Sequence, residues 1–198
     1  MEKLSINNPQ RLPIPSLAPE AWYAALQYDI SPRFIPTQED SRVYVEALRY
    51  ERTPEAVIHF SENCSRLTDY GYWFLLSTLW VSYTGWSNLE LWRQLFKSPR
   101  PSRKECLMKP RELEFYRLLP PQVLCYRAHR PGERDWISYT LDLDIARRFA
   151  KEREVATLST YRILRRDLLA LFLRRGEYEV LCLDRKKARL VGKIGVAA

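Results

Sequence analysis

The chain has 198 residues, 46% of them hydrophobic, enough to bury a sizeable core as one domain or one domain with a small companion. Its formal net charge of +8 is unevenly placed: residues 1–99 carry 9 Lys and Arg against 11 Asp and Glu, and residues 100–198 carry 23 against 13. Four cysteines without a C-x-x-C pair, and only two histidines, argue against a disulfide framework or a zinc site, so no metal and a reducing cytoplasm are expected. The first residues lack the apolar core of a signal peptide, and the uncharged stretch 72–86 contains Ser, Thr, Tyr and Gly, which suits a buried helix better than a membrane span.

In chain order, Pro9, Pro13, Pro15 and Pro19 break any regular element, making residues 1–18 a Pro-rich segment. Pro19-Glu20 ahead of Ala21, Trp22, Ala25 and Leu26 marks a helix start. Thr37, with Glu39 and Asp40 behind it, supplies an N-cap and an acidic first turn to a helix through Val43, Ala47 and Leu48. Thr53-Pro54-Glu55 opens another, residues 69–82 read as a central apolar helix, and Asn88 precedes an amphipathic set at Leu89, Leu91, Trp92, Leu95 and Phe96. Residues 97–104, with Pro99, Pro101 and Ser102, read as an exposed loop, and Pro110 starts a short helix that Pro120-Pro121 stops. Residues 19–120 thus form a helical region that by itself indicates no reaction.

Beyond Pro121 the texture changes. Strands are expected over 123–126, 136–140, 155–163, 178–183 and 188–191, with a helix over 142–153 and a compact apolar helix over 167–173 that Gly176 ends. The fold class is α+β, with an α/β core over 121–198 that forms one compact unit with the helices. Arg147-Arg148, Arg165-Arg166 and Arg174-Arg175 make this half basic. That suits an acidic protein face or nucleic acid, but no nucleic-acid module accompanies the charge, and solvated helix faces account for most of it.

The strands carry the polar residues worth weighing: Arg127, then Ser138 and Thr140, then Glu177 and Glu179. Glu-x-Glu also occurs at Glu112/Glu114 and Glu152/Glu154, where solvated helical glutamates are ordinary; only the third pair opens a strand. Two carboxylates on one strand face repel and need a reason. Cleaving the nicotinamide–ribose bond of NAD+ provides one. A carboxylate beside the ribose stabilises an oxocarbenium-like sugar, a guanidinium fork matches phosphate oxygens, a hydroxyl holds the carboxylate, and a second carboxylate orients or deprotonates the nucleophile.

The runs Val123-Leu-Cys-Tyr-Arg-Ala-His129, Trp136-Ile-Ser-Tyr-Thr-Leu-Asp142 with Ala146-Arg-Arg-Phe-Ala150, and Arg175-Gly-Glu-Tyr-Glu-Val-Leu181 resemble the mono-ADP-ribosyltransferases of the Arg–Ser–Glu class, in particular short bacteriophage- and prophage-encoded members. The resemblance spans about residues 121–184 and implies a split fold of two small sheets with NAD+ in the cleft between them. It implies Arg127 on the NAD+ phosphates or ribose, Ala128 and Phe149 as further NAD+ contacts, Ser138 with Thr140 supporting the glutamate, Glu179 as the catalytic carboxylate and Glu177 as the one orienting the acceptor. Family members often carry Gly after the motif Arg, where this chain has Ala128. The function so implied is NAD+-dependent ADP-ribosylation of a host protein, on arginine if Glu177 acts as in relatives with Glu there, in the host cytoplasm and without a membrane. A non-catalytic binder that blocks a host defence complex on the same scaffold, and nucleic-acid binding or modification, stand as alternatives.

Overall fold

The computed structural model describes residues 29–32, 34–83 and 88–196; the Pro-rich segment and the helix expected from Pro19-Glu20 lie outside them. Among the described residues seven α-helices accompany six strands. Six helices come first: α1 (Gln38–Leu48), α2 (Glu55–Asn63), α3 (Asp69–Ser82), α4 (Leu89–Phe96), α5 (Arg103–Leu107) and α6 (Pro110–Leu118). Then follow β1 (Gln122–Arg127), β2 (Ser138–Thr140), α7 (Leu143–Glu152), β3 (Thr157–Leu164), β4 (Ala170–Phe172), β5 (Glu179–Leu181) and β6 (Arg189–Gly195). No helix among the described residues is long and apolar enough to cross a membrane.

The helix starts follow their caps. Thr37 Oγ1 accepts from Asp40 N at 3.0 Å while Asp40 Oδ2 accepts from Thr37 N at 2.9 Å, a closed capping box. Asp40 is fully buried and also accepts from Thr68 N at 2.9 Å and Thr68 Oγ1 at 2.9 Å, so one carboxylate ties the start of α1 to the start of α3. Burial opposes its charge, but these donors hold its carboxyl below the usual range. Helix α3 is buried nearly all round, with Trp73, Leu75, Leu76 and Leu79 in the core, which is why it shows no amphipathic stripe in sequence.

All strand pairs are antiparallel, in the order β4-β5-β2-β1-β3-β6. The sheet is continuous, which corrects the expectation of two separate sheets, yet its halves β4-β5-β2 and β1-β3-β6 meet through a single residue pair, Tyr126 with Thr140. By contrast β1 and β3 pair in register from Gln122↔Leu164 to Arg127↔Ser159.

The helix expected over 167–173 is a correction. A 3-10 turn (Arg165–Asp167) leads into strand β4, which pairs with β5 from Ala170↔Leu181 to Phe172↔Glu179. Residues 168–173 are all buried, and an apolar run covered on both faces has no alternation to distinguish strand from helix. The outer edge of β4 is covered: Leu171 N donates to Met108 Sδ at 3.3 Å, and Leu173 N donates to Glu112 Oε1 at 2.9 Å. Boundaries also differ: β2 begins at Ser138, β3 runs Thr157–Leu164, β5 spans only Glu179–Leu181, β6 runs on to Gly195, and α5 starts inside the expected loop 97–104.

Glu112 and Arg174 fasten the helices to the sheet. Glu112 is fully buried, Arg174 is 7% exposed, and they meet at 3.1 Å; Arg174 also donates to Ser77 Oγ on α3 and to the Leu107 carbonyl on α5. A buried carboxylate is tolerable there because it accepts from a guanidinium and two backbone amides, those of Leu173 and Lys109.

Candidate functional site

A cleft of about 840 Å³ opens where the two halves of the sheet part. Tyr126, Arg127 and Ala128 line it from the end of β1, Ser138, Tyr139 and Thr140 from β2, and Phe149 and Arg153 from α7 and the turn after it. Glu177 and Glu179 enter from the start of β5, and Trp80 and Tyr83 from the end of α3. The sequence-derived residues Arg127, Ala128, Ser138, Thr140, Phe149, Glu177 and Glu179 all converge on this one space.

Glu179 is held at both oxygens. Ser138 Oγ donates to Oε1 at 2.6 Å, and Trp80 Nε1 donates to Oε2 at 3.2 Å. Ser138 reaches it because β2 and β5 are paired, with Thr140 opposite Glu179 and Ser138 opposite Leu181. Burial raises the Glu179 carboxyl above its ordinary value; the Ser138 hydrogen bond opposes this, the charge of Glu177 adds to it, and the Trp80 hydrogen bond again opposes.

Glu177 arrives by a route the sequence did not indicate. Tyr178 has φ +46, a left-handed backbone, and Gly176 has φ +66, so Glu177 precedes the strand and the two glutamates do not share its alternation. The turn still aims both into the cleft. Arg175 Nη2 donates to Glu177 Oε1 at 2.7 Å, and burial raises the Glu177 carboxyl while Arg175 and Arg148 pull it back. Thr140 supports the neighbouring backbone and not Glu179 itself: its Oγ1 donates to the Glu177 carbonyl at 2.6 Å and accepts from Asp142 N at 3.1 Å.

Arg127 lines the cleft with its fork already engaged. Nε and Nη2 donate to the two oxygens of Glu133 at 3.0 and 2.6 Å, and Nη1 donates to the Ser138 carbonyl at 2.6 Å. Burial would raise Glu133, but hydrogen bonds from His129 and Arg127 outweigh it and bring its carboxyl to about 2. His129 in turn contacts Tyr161 through Nε2 and packs edge-on against Trp136, so Glu133 belongs to a packed polar cluster beside the cleft.

The cleft arginines therefore fall into two groups. Arg127, Arg148 and Arg175 have carboxylate partners in Glu133, Glu152 and Glu177. Arg130 and Arg153 have none within ion-pair distance among the described residues, although both line the cleft. Arg153 donates to the Ala128 carbonyl and lies over the Phe149 ring at 5.1 Å. Burial, with Arg127 and Arg130 nearby, lowers its guanidinium to about 10, and the charges of Glu133 and Glu152 only partly oppose this.

Sequence reasoning missed Trp80, Glu133 and Arg153. Trp80 is 99 residues from Glu179 in a helix that reads as pure core, and Glu133 sits in a loop with no pattern. Arg153 had a signal, since it lies just past the helix carrying Phe149. Among the described residues no group of three His, Cys, Asp or Glu side chains is placed to hold a metal ion. No protein-family model matches the chain, and no curated protein or solved structure matches it either.

Proposed function

We propose that the cleft binds NAD+, that Glu179 promotes loss of nicotinamide, and that ADP-ribose passes to a nucleophile on a protein, an arginine being the acceptor that Glu177 suits. One observation carries this reading: a buried carboxylate gripped at both oxygens, with a second carboxylate beside it, shares a cavity of about 840 Å³ with two arginines, Arg130 and Arg153, that have no carboxylate within ion-pair distance among the described residues. That volume is in the range of small-molecule sites, about 300–1,000 Å³.

In this reading Glu179 accepts from the ribose hydroxyls and stabilises the positive charge that grows on C1′ as the C1′–N bond breaks and its electron pair leaves with nicotinamide. Arg153 and Arg130 supply the positive charge the pyrophosphate needs, and Phe149 offers a flat apolar surface. The acceptor nitrogen then attacks C1′ and gives its proton to Glu177. Arg127, committed to Glu133 and to the Ser138 carbonyl, aligns β2 so that Ser138 meets Glu179. The basic half of the chain suits an acidic face on the acceptor protein, a host protein if the gene is a phage's.

A second reading, a non-catalytic binder on the same scaffold, draws on the fact that Arg127 and Glu177 are both satisfied within the chain. Incubating wild type and Glu179→Ala with labelled NAD+ and a bacterial lysate separates the two. Nicotinamide release and a labelled protein band with wild type alone support the transferase. Neither signal from wild type sinks it and leaves the binder.

A further inference from the structure

We propose that Trp80 is a positioning residue for Glu179, so that the helical half of the chain is part of the reacting site and not only its support. This rests on the reading of Glu179 as the reacting carboxylate.

The indole is fixed from behind. Trp92 meets it edge-on with ring centroids 5.1 Å apart, and Phe96 does so at 5.6 Å, both from α4 and both buried. An indole so packed has one direction for its N–H, and that direction ends on Glu179 Oε2 at 3.2 Å. The last torsion of a glutamate is broad, so a carboxylate held by Ser138 alone is free to turn about Oε1. A second donor on the other oxygen fixes the plane of the group. Two donors also leave acceptor capacity on a carboxylate that has about four lone-pair sites.

The same helical turn reaches the other carboxylate. The Val81 carbonyl, one residue on, accepts from Arg175 Nη1 at 3.2 Å while Arg175 Nη2 holds Glu177 at 2.7 Å. The end of α3 thus braces both glutamates, one through an indole and one through a guanidinium. The charged groups that share the cleft with Glu179 are Glu177 and Arg175 beside it, Arg127 and Arg130 from β1 and the loop after it, and Arg148, Glu152 and Arg153 from α7 and its end; the end of α3 contributes the neutral indole and the phenol of Tyr83, and no charge at neutral pH. Removing that N–H therefore changes hydrogen bonding to Glu179 without changing the charge around it.

The test replaces Trp80 by Phe and, as a closer match in shape, by β-(3-benzothienyl)alanine, which keeps the bicyclic ring and deletes the N–H. The titration of the Glu179 carboxyl is followed by NMR on ¹³C-labelled glutamate, with Glu179→Gln assigning the signal. Both replacements are expected to move the Glu179 midpoint upward, because the lost donor favoured the charged form. Kinetics on the same proteins are expected to show kcat for nicotinamide release lower by about 10-fold, KM for NAD+ within about 2-fold, and the acidic limb of the pH profile displaced upward. An unmoved midpoint with the benzothienyl residue overturns the proposal, whatever the kinetics. A moved midpoint in a protein that releases no nicotinamide keeps the coupling of Trp80 to Glu179 but removes its catalytic meaning, and with it the NAD+ reading. Full nicotinamide release by Glu179→Gln leaves NAD+ cleavage standing but removes the reacting role of Glu179, and with it this proposal.

Discussion

Arg127 and Glu133 face each other through two parallel hydrogen bonds, and their side chains are only 11% and 12% exposed. The pair closes the loop between β1 and β2 and leaves one guanidinium nitrogen for the Ser138 carbonyl.

The Glu133 carboxyl lies at about 2 in the folded protein against an ordinary 4.5. A depressed carboxyl contributes stability that is present above its unfolded value and lost as pH falls toward the folded one. Glu133→Gln is therefore expected to lower stability by about 2–4 kcal/mol at neutral pH, since it strands a largely buried guanidinium. Urea unfolding at pH 7 and pH 3 checks it: the gap between wild type and variant should narrow at the lower pH.

Glu179 has the opposite sign. Its carboxyl is raised, so its contribution to stability is full below the ordinary value of 4.5 and is lost as pH rises through the folded value. Glu179→Gln should melt higher than wild type at pH 8 and close to it at pH 4, while nicotinamide release falls by about two to three orders of magnitude. Calorimetric scans across pH, paired with a nicotinamide assay, read both effects from the same samples. A variant that melts lower at pH 8 contradicts the electrostatics; one that keeps its activity contradicts the role.

Ser138 Oγ opposes the upward pull of burial on Glu179. Ser138→Ala is expected to move the acidic limb of the kcat/KM profile to higher pH and to lower the plateau by about 10-fold, because a hydrogen bond to a charged group is lost. A lowered plateau with an unmoved limb would show that the hydroxyl serves the fold alone.

The start of α3 offers a test confined to the helical half. A Cβ on Gly71 would stand 2.3 Å from Asp40 Oδ1, and hydrogen bonds from Thr37 and Thr68 prevent that carboxylate from stepping aside. Ala gains about 1 kcal/mol over Gly within a helix, whereas overpacking costs about 1–3 kcal/mol and here also disrupts a buried carboxylate. Gly71→Ala should be net destabilising by about 1–3 kcal/mol in denaturant melts, with turnover per folded molecule unchanged.

The legible parts of the chain were those in which local chemistry decides the outcome. Thr37 and Asn88, placed ahead of their helices by the sequence, accept from first-turn amides, and Thr68 and Asp142 prove to do the same for α3 and α7. The convergence of Arg127, Ser138 and the two glutamates could be anticipated because their chain order follows strands that become neighbours. Residues 168–173 were misread because burial on both faces erases the period that separates strand from helix. Tyr178 was misread because a left-handed residue outside glycine leaves little trace in sequence. Trp80 and Glu133 were invisible for another reason: their roles lie in contacts made across the chain or around a loop, and no spacing rule describes those.

A sheet whose halves share one rung, Tyr126 with Thr140, cannot set the relative position of the groups on either side of it by its ladder alone. Alignment across that joint passes to a side chain: Arg127, held by Glu133, spans from β1 to the Ser138 carbonyl on β2. The seam thereby rests on one guanidinium as much as on its rung. A change at Arg127 would therefore loosen the one seam where the two halves of the sheet meet, while the ladders within each half stay paired.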